Sequence, residues 1–174
     1  MRVTFFARAP SKQAERLDKA APTGMGKQFC VPCILFGLAL LGTSIAFYDA
    51  YAIYNGQALW CPPPIDGCNG VAGSLYARIY NLPVGYFAVV YYLYMAGLAA
   101  LLAFEPLSRA LRFAALGYAA LGVGFSIYFM ILQIAFIHAF CIYCLVSAIT
   151  TVLLLFTALA HFRATRPDPA LAAA

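Results

Sequence analysis

The sequence predicts an all-α membrane protein, a bundle of four transmembrane helices with a cysteine-bearing outer loop and a short amphipathic lid helix. Of its 174 residues, 64% are hydrophobic and only 10% are charged, and the mean hydropathy is +0.85. Such a composition excludes a water-soluble domain. A bilayer core about 30 Å thick needs roughly 20 apolar residues per helix. Four stretches reach that length, at about residues 34–54, 84–104, 113–137 and 142–162.

The basic residues predict how these helices are oriented. Six of the eleven lysines and arginines precede residue 29, two more, Arg109 and Arg112, lie in the second connection, and two follow the last stretch. The first connection holds only Arg78, and the third holds no Lys or Arg. The positive-inside rule therefore places both termini in the cytoplasm and the first and third connections outside. We expect a multi-pass protein of the cytoplasmic (inner) membrane.

Three regions follow from this arrangement. Residues 1–28 are expected to form a flexible basic cytoplasmic tail without a removable signal peptide. Residues 29–163 form the transmembrane domain, with residues 55–83 facing outward, and residues 164–174 form a second cytoplasmic tail. Because the basic tail lacks a folded basic motif, it indicates a topology determinant beside anionic lipid, and no nucleic-acid partner is expected.

Local patterns predict the individual elements. The first helix is expected to begin near Cys30, with Pro32 in its first turn, where a missing N–H costs little. Residues Val71, Leu75 and Ile79 recur at four-residue spacing, which indicates an amphipathic helix of about three turns. This helix is expected to lie across the outer mouth of the bundle as a lid.

Short connections between the later helices favour an up-down bundle. Small residues let membrane helices approach closely. The glycines expected to do so here are Gly85, Gly97, Gly117, Gly122 and Gly124.

The strongest chemical signal is Cys141-Ile-Tyr-Cys144 at the start of the last helix. A helix N-terminus stabilises a thiolate, and the two-residue spacing allows a disulfide that opens easily. Two inert thiols filling apolar space are the alternative interpretation.

A second pair, Cys61 and Cys68, lies in the outward loop, where a structural disulfide would also explain it. Two pairs on one side indicate a relay by thiol–disulfide exchange, which carries electrons from an outside thiol protein into the membrane. A lipid-soluble quinone is the expected acceptor, because the sequence has neither a Rossmann glycine motif nor a P-loop for a soluble cofactor.

The spacing of these residues resembles the vitamin K epoxide reductase family. The resemblance rests on Cys61 with Cys68, Ser74-Leu-Tyr-Ala leading to Leu82-Pro83-x-Gly85, and Tyr128 followed after twelve residues by Cys141-Ile-Tyr-Cys144. It covers about residues 36–160 and is closer to the bacterial disulfide-forming members than to the animal enzymes. Animal members have a tyrosine four residues after the second active-site cysteine, where this chain has Ala148, which argues against epoxide reduction.

The resemblance implies a role for each site residue. Cys61 receives electrons from a reduced thioredoxin-fold partner, and Cys68 passes them to Cys141 through a transient disulfide. Cys144 faces the quinone, either ubiquinone or menaquinone, and reduces it. Ser74 and Tyr128 stand near the quinone pocket, with Tyr128 as a hydrogen-bond donor. Considered without the resemblance, a backbone-bonded serine and a packing tyrosine are the ordinary interpretations.

Three other polar residues have two interpretations each. His138 is expected to be solvated at the interface rather than to carry protons. Asp49 is expected to anchor the lid by a hydrogen bond rather than to transfer protons. Gln133 is either a polar wall of the pocket or an interhelical hydrogen bond, and the second is the more common.

Cys30-Val-Pro-Cys33 is predicted on the cytoplasmic side, where reduced structural thiols are the expectation and a soft-metal site or a cytosolic redox contact is the alternative. We therefore predict a quinone-linked disulfide-forming oxidoreductase that contains no metal. The main alternative from another class is a soft-metal carrier that binds its ion with C-x-x-C thiolates, and a purely structural membrane subunit is a further one. In the other bacterial family of four-helix thiol oxidases, the order of the two kinds of pair is reversed.

Overall fold

Four long helices make up most of the computed structural model, which describes residues 25–63 and 67–164. They are α1 (Met25–Tyr54), α3 (Val84–Phe104), α4 (Arg109–Leu132) and α5 (Ile142–Ala164), and α2 (Cys68–Ala72) is a short helix between the first two. The segments long and apolar enough to cross a membrane are Val31–Tyr54, Val84–Phe104, Arg109–Ile137 and Ile142–Ala164. The predicted four-helix membrane bundle is confirmed. Most of both predicted cytoplasmic tails lies outside the described residues.

The first helix is longer than expected at its N-terminal end. Helix α1 begins at Met25, so the prediction of a start near Cys30 is wrong, and Pro32 is a buried interior residue rather than part of the first turn. An interior proline removes one backbone hydrogen bond, but its fixed φ is compatible with a helix, and membrane helices tolerate that loss.

The long helices pack in a ring in the order α1, α3, α4, α5, with α5 returning to α1. Leu35, Met95 and Leu154 are fully buried where these helices meet. The Tyr92 hydroxyl donates to the Ser147 carbonyl at 3.0 Å and lies 2.8 Å from the Ser147 hydroxyl. This contact ties α3 to α5 one turn beyond Cys144.

Only some of the predicted glycines mark close helix contacts. A Cβ on Gly85 would lie 3.0 Å from the Ala50 Cβ, so α3 approaches α1 closely there. A Cβ on Gly122 would overlap the Tyr91 hydroxyl. For Gly97, Gly117 and Gly124, no described atom lies within 4 Å of such a Cβ, and the prediction of close approach at these three is wrong. Sequence alone does not show which face of a helix a glycine occupies.

The segment between α1 and α3, residues 55–83, is here called the cysteine loop. After α2 it contains a 3₁₀ turn (Leu75–Ala77) and a hairpin of β1 (Arg78–Ile79) with β2 (Leu82–Pro83), paired antiparallel. The hairpin turns through Tyr80 and Asn81, both with positive φ (50° and 65°).

The predicted three-turn lid helix is therefore wrong in extent. Helix α2 ends at Ala72, and Ser74 has extended backbone (ψ 155°), so Val71 and Ile79 are not on one helix. The hairpin was not expected, because Tyr-Asn is not one of the usual two-residue turns that permit positive φ at both positions.

Helix α4 ends in a wide π turn, Gln133–Ile137, and His138 then adopts left-handed backbone (φ 53°). The Ala139 N–H donates to the Gln133 carbonyl at 3.3 Å. This ending reverses the chain within a few residues and brings Cys141 back to the N-terminus of α5.

Candidate active site

Four cysteines from two parts of the chain meet in one apolar cluster. Cys68 and Cys141 are buried, with 0% and 2% of their surface exposed, and Cys61 and Cys144 pack beside them. Cys61 and Cys68 form a disulfide with a Cα–Cα distance of 6.3 Å, and Cys141 and Cys144 are free thiols. The structure therefore brings all four predicted catalytic cysteines together.

Three polar contacts hold the cysteine loop in place. The Tyr143 hydroxyl, within the C-x-x-C segment, donates to the Trp60 carbonyl at 2.8 Å, next to Cys61. The Leu59 N–H donates to the Asn69 side-chain oxygen at 2.9 Å, and the Asn69 amide nitrogen donates back to the Leu59 carbonyl at 3.3 Å. The first bond joins the loop to α5, and the other two hold together the loop residues near Cys61 and Cys68.

A close backbone contact completes this docking. A Cβ on Gly67 would lie 2.6 Å from the Phe140 nitrogen and 2.7 Å from its carbonyl oxygen. The residue before Cys68 therefore rests directly on the residue before Cys141. Only glycine leaves room for two backbones to come this close.

Cys141 lies in the connection before α5 and is electrostatically suited to be a thiolate. A hydrogen bond from the Cys144 thiol is the main cause that lowers the pKa of Cys141, and backbone N–H groups of Cys144 and Tyr143 add to it. Burial opposes the shift, and so does the negative charge of Asp49, but the net direction is downward. A thiol at a helix N-terminus has this behaviour for the same reason, since unpaired N–H groups point at the sulfur.

Gln133 connects α4 to this pair. Its side chain is 2% exposed, and its Oε1 accepts the Cys141 N–H at 2.9 Å. Its side chain also acts electrostatically on the Cys144 sulfur. Gln133 therefore lines the pocket and also makes a hydrogen bond between helical segments, so both interpretations left open by the sequence apply.

A cavity of about 670 Å³ opens between the helices beneath the cysteines. Its walls are mostly apolar, with Cys68, Cys141 and Cys144 at one end. An apolar cavity of this size with a few convergent polar groups is typical of a small-molecule site.

The predicted polar residues are placed unequally around the cavity. Ser74 lines it, with its hydroxyl donating to the Val71 carbonyl at 2.7 Å. Asp49 also lines it, and its carboxylate makes no hydrogen bond to the part of the cysteine loop that the structure describes, so the anchoring interpretation stays a prediction. Tyr128 is 54% exposed on another face of α4 and is not part of the cavity wall. His138 is exposed, in agreement with a solvated position.

Tyr91 lines the cavity but was not singled out in the sequence. Its hydroxyl is buried without a hydrogen-bond partner in the described part of the chain, and its ring stacks on that of Tyr118 at 4.8 Å. A buried hydroxyl normally has a partner. The available signal was a run of tyrosines inside a membrane span, but such tyrosines more often pack.

Cys33 lies far from this site. It is an exposed free thiol near the start of α1, whereas the cluster is at the other end of that helix. At 1.5 Å per residue, the 21 residues from Cys33 to Tyr54 span about 30 Å. Side-chain placement at Cys30 lies outside the description, so the pairing of these two cysteines stays a prediction.

The fold and the site together define a membrane thiol oxidoreductase, since one disulfide and one dithiol meet inside a four-helix membrane bundle. Residues 33–159 match the family model described as the vitamin K epoxide reductase family, and the chain belongs to that family. No individual curated protein matched the sequence.

Proposed function

We propose that this protein is a quinone-dependent thiol oxidase of the bacterial disulfide-forming type. It takes electrons from a reduced thioredoxin-fold partner and delivers them to a membrane quinone, which supports disulfide formation in exported proteins. The observation that carries this proposal is the apolar cluster of Cys61, Cys68, Cys141 and Cys144 at the end of a membrane cavity.

Cys61 is the entry point for electrons. It is half-buried, whereas Cys68 is fully buried, so a thiolate from outside reaches the Cys61 sulfur first. That attack breaks the Cys61–Cys68 bond and releases Cys68 as a thiolate. A second partner thiolate then displaces Cys61, which leaves the partner oxidised and the loop pair reduced. The neighbouring Trp60, 70% exposed, offers apolar surface for the partner.

Transfer to the helix pair follows within the cluster. The Cys68 thiolate attacks Cys141, the Cys141–Cys144 disulfide breaks, and its electron pair leaves on Cys144. Cys61 then attacks Cys68, which restores the loop disulfide and releases Cys141. A lowered pKa makes Cys141 a good leaving group in this last step.

Cys144 is the proposed electron donor to the quinone. A quinone held there would supply the acceptor for two electrons and two protons, and the two thiols would form the Cys141–Cys144 disulfide again as they give these up. The cavity suits such a ring because its walls are apolar and the Tyr91 hydroxyl is left to donate to a carbonyl oxygen. Ser74 lies in the same wall. The predicted role of Tyr128 is not included in this proposal, since its ring is outside the cavity.

The orientation in the membrane is part of the proposal. Basic residues before residue 29, in the second connection and after the last helix favour the cytoplasm for those segments. The cysteine loop then lies on the extracytoplasmic side of the inner membrane, where disulfides persist.

The test uses the full chain purified in detergent, with a reduced thioredoxin-fold protein and a short-chain quinone. We expect quinone reduction, followed by its absorbance, that is lost in Cys144→Ala and retained in Cys33→Ala. The Cys33 thiol is a matched control because it is exposed at the other end of the bundle. Unchanged turnover in Cys144→Ala would refute the proposal.

A further inference from the structure

Gln133 is a buried polar residue to which the relay above assigns no role. Its buried side chain lines the cavity beside Cys144, with Oε1 accepting the Cys141 N–H at 2.9 Å, and it acts electrostatically on the Cys144 sulfur. Because Oε1 already accepts the backbone N–H, the Nε2 amino group is the end left to donate to a sulfur. One member of the reactive pair occupies Oε1, which leaves Nε2 for the other.

The π turn at the end of α4 brings the Gln133 amide next to the backbone of Cys141, which an ordinary α-helical ending would not do. Gln133 begins the π turn, and the left-handed His138 then reverses the chain, so that Cys141 returns to the level of Gln133. The wide turn lets a side chain on α4 reach a backbone N–H eight residues later. Single π turns in helical segments are frequently found at functional sites.

The charges around Cys144 show why a donor is needed there. When Cys68 attacks Cys141, the electron pair of the broken bond leaves on Cys144, inside a mostly apolar cavity. The groups that act electrostatically on Cys144 are Cys141, Asp49 and Gln133. Cys141 is in a disulfide with Cys68 at that point, so Asp49 is the charge that would repel a negative Cys144 sulfur, whereas a neutral N–H donor attracts it.

We propose that Gln133 is a positioning residue that stabilises the departing Cys144 thiolate through Nε2 while Oε1 holds the N-terminus of α5. This inference rests on the relay proposed above, in which Cys144 is the leaving group. It assigns the two functions to two different atoms of one side chain, so substitutions can separate them.

Two substitutions separate the donor function of Nε2 from the acceptor function of Oε1. Gln133→Met keeps the size of the side chain and removes both the donor and the acceptor. Gln133→Glu keeps an acceptor for the Cys141 N–H but replaces the donor with a second oxygen. Ser126→Ala serves as the control, because it removes a 2.9 Å hydrogen bond to Thr151 between α4 and α5 without touching a cysteine.

The experiment uses the oxidised full chain with Cys61→Ser. Cys68 then has no loop partner, so it captures Cys141 and leaves Cys144 as a single thiol. Alkylation of Cys144 by iodoacetamide at pH 7 is followed by mass spectrometry of its peptide. A hydrogen bond to a charged group is equivalent to roughly a tenfold change or more in a rate or population. We expect Gln133→Met and Gln133→Glu each to slow alkylation roughly tenfold, with Ser126→Ala at the parent rate.

Three results would overturn the inference. Parent-like alkylation in Gln133→Met would show that the amide does not stabilise the thiolate. A slow Gln133→Met with a parent-like Gln133→Glu would show that Oε1 alone matters. Equal slowing by Ser126→Ala would show a general packing effect. If Gln133→Met fails to form the Cys68–Cys141 disulfide, the nearly isosteric Gln133→Glu decides. No quinone is present, so a failed quinone assay is distinguishable from a failed alkylation result.

Discussion

Tyr143→Phe tests whether the cysteine loop is held over the C-x-x-C pair by one hydroxyl. The substitution removes the 2.8 Å hydrogen bond to the Trp60 carbonyl and leaves the ring, which contacts the Tyr48 ring at a centroid distance of 5.4 Å. A solvent-exposed hydrogen bond has a net value at the lower end of the usual range, about 0.5–1 kcal/mol. Since packing is kept, the equilibrium constant for docking of the loop should fall roughly two- to fivefold.

The assay reports docking of the loop as the effective concentration of the Cys68 thiol at Cys141. In a Cys61→Ser, Cys144→Ser protein, Cys68 and Cys141 are left to pair with each other, and their disulfide is equilibrated with glutathione buffers. Peptide mass spectrometry gives the oxidised fraction. We expect Tyr143→Phe to lower this effective concentration two- to fivefold, because the loop docks less tightly.

Tyr54→Phe is the matched control, since Tyr54 is an exposed tyrosine on the same end of α1 with a ring contact to Tyr86. The same effective concentration in Tyr143→Phe and the parent would show that the hydrogen bond from the Tyr143 hydroxyl does not hold the loop. A similar fall in Tyr54→Phe would show that loss of any nearby tyrosine hydroxyl has the effect.

Two further predictions concern the helix pair and the cavity. The Cys144 thiol is the main cause of the lowered pKa of Cys141, so Cys144→Ala should raise that pKa. Cys141 is then less ionised at pH 7, and its alkylation becomes slower, whereas Cys144→Ser keeps a hydroxyl donor and most of the alkylation rate. An unchanged pH–rate curve for Cys144→Ala would contradict this prediction. Gly122→Ala would push its new methyl group onto the Tyr91 hydroxyl and should raise the KM for quinone roughly fivefold, an overpacking effect of about 1 kcal/mol. Gly117→Ala, on the same helix with no described atom within 4 Å, should leave KM unchanged, and equal KM values in the two variants would contradict this assignment.

Hydrophobic length and charge were enough to predict the bundle. The predicted last helix, from residue 142 to about 162, differs from α5 by two residues at one end. Such spans are predictable because the bilayer imposes their length on the sequence directly. The meeting of loop and helix cysteines was also predictable, since topology places both on one side.

The details of the site depended on backbone angles that residue patterns do not specify. The four-residue spacing of Val71 and Ile79 gave no sign that Ser74 is extended. Likewise, nothing in the residues around Gln133 indicated a π turn, so its contact with Cys141 could not be predicted from the sequence. Tyr91 and Tyr128 lie on different helices, and their orientation toward the cavity follows from helix rotation in the packed bundle.

The unequal exposure of the two loop cysteines has a consequence for the cell's small thiols. Glutathione in bulk water meets the half-buried Cys61, whereas Cys68 and Cys141 are sealed beneath the loop. On the aqueous side, small thiols therefore meet the Cys61 sulfur before they meet the inner pair. Such burial slows the direct reaction of small thiols with Cys141, so the inner pair should keep its redox state longer than Cys61 when the ambient thiols change.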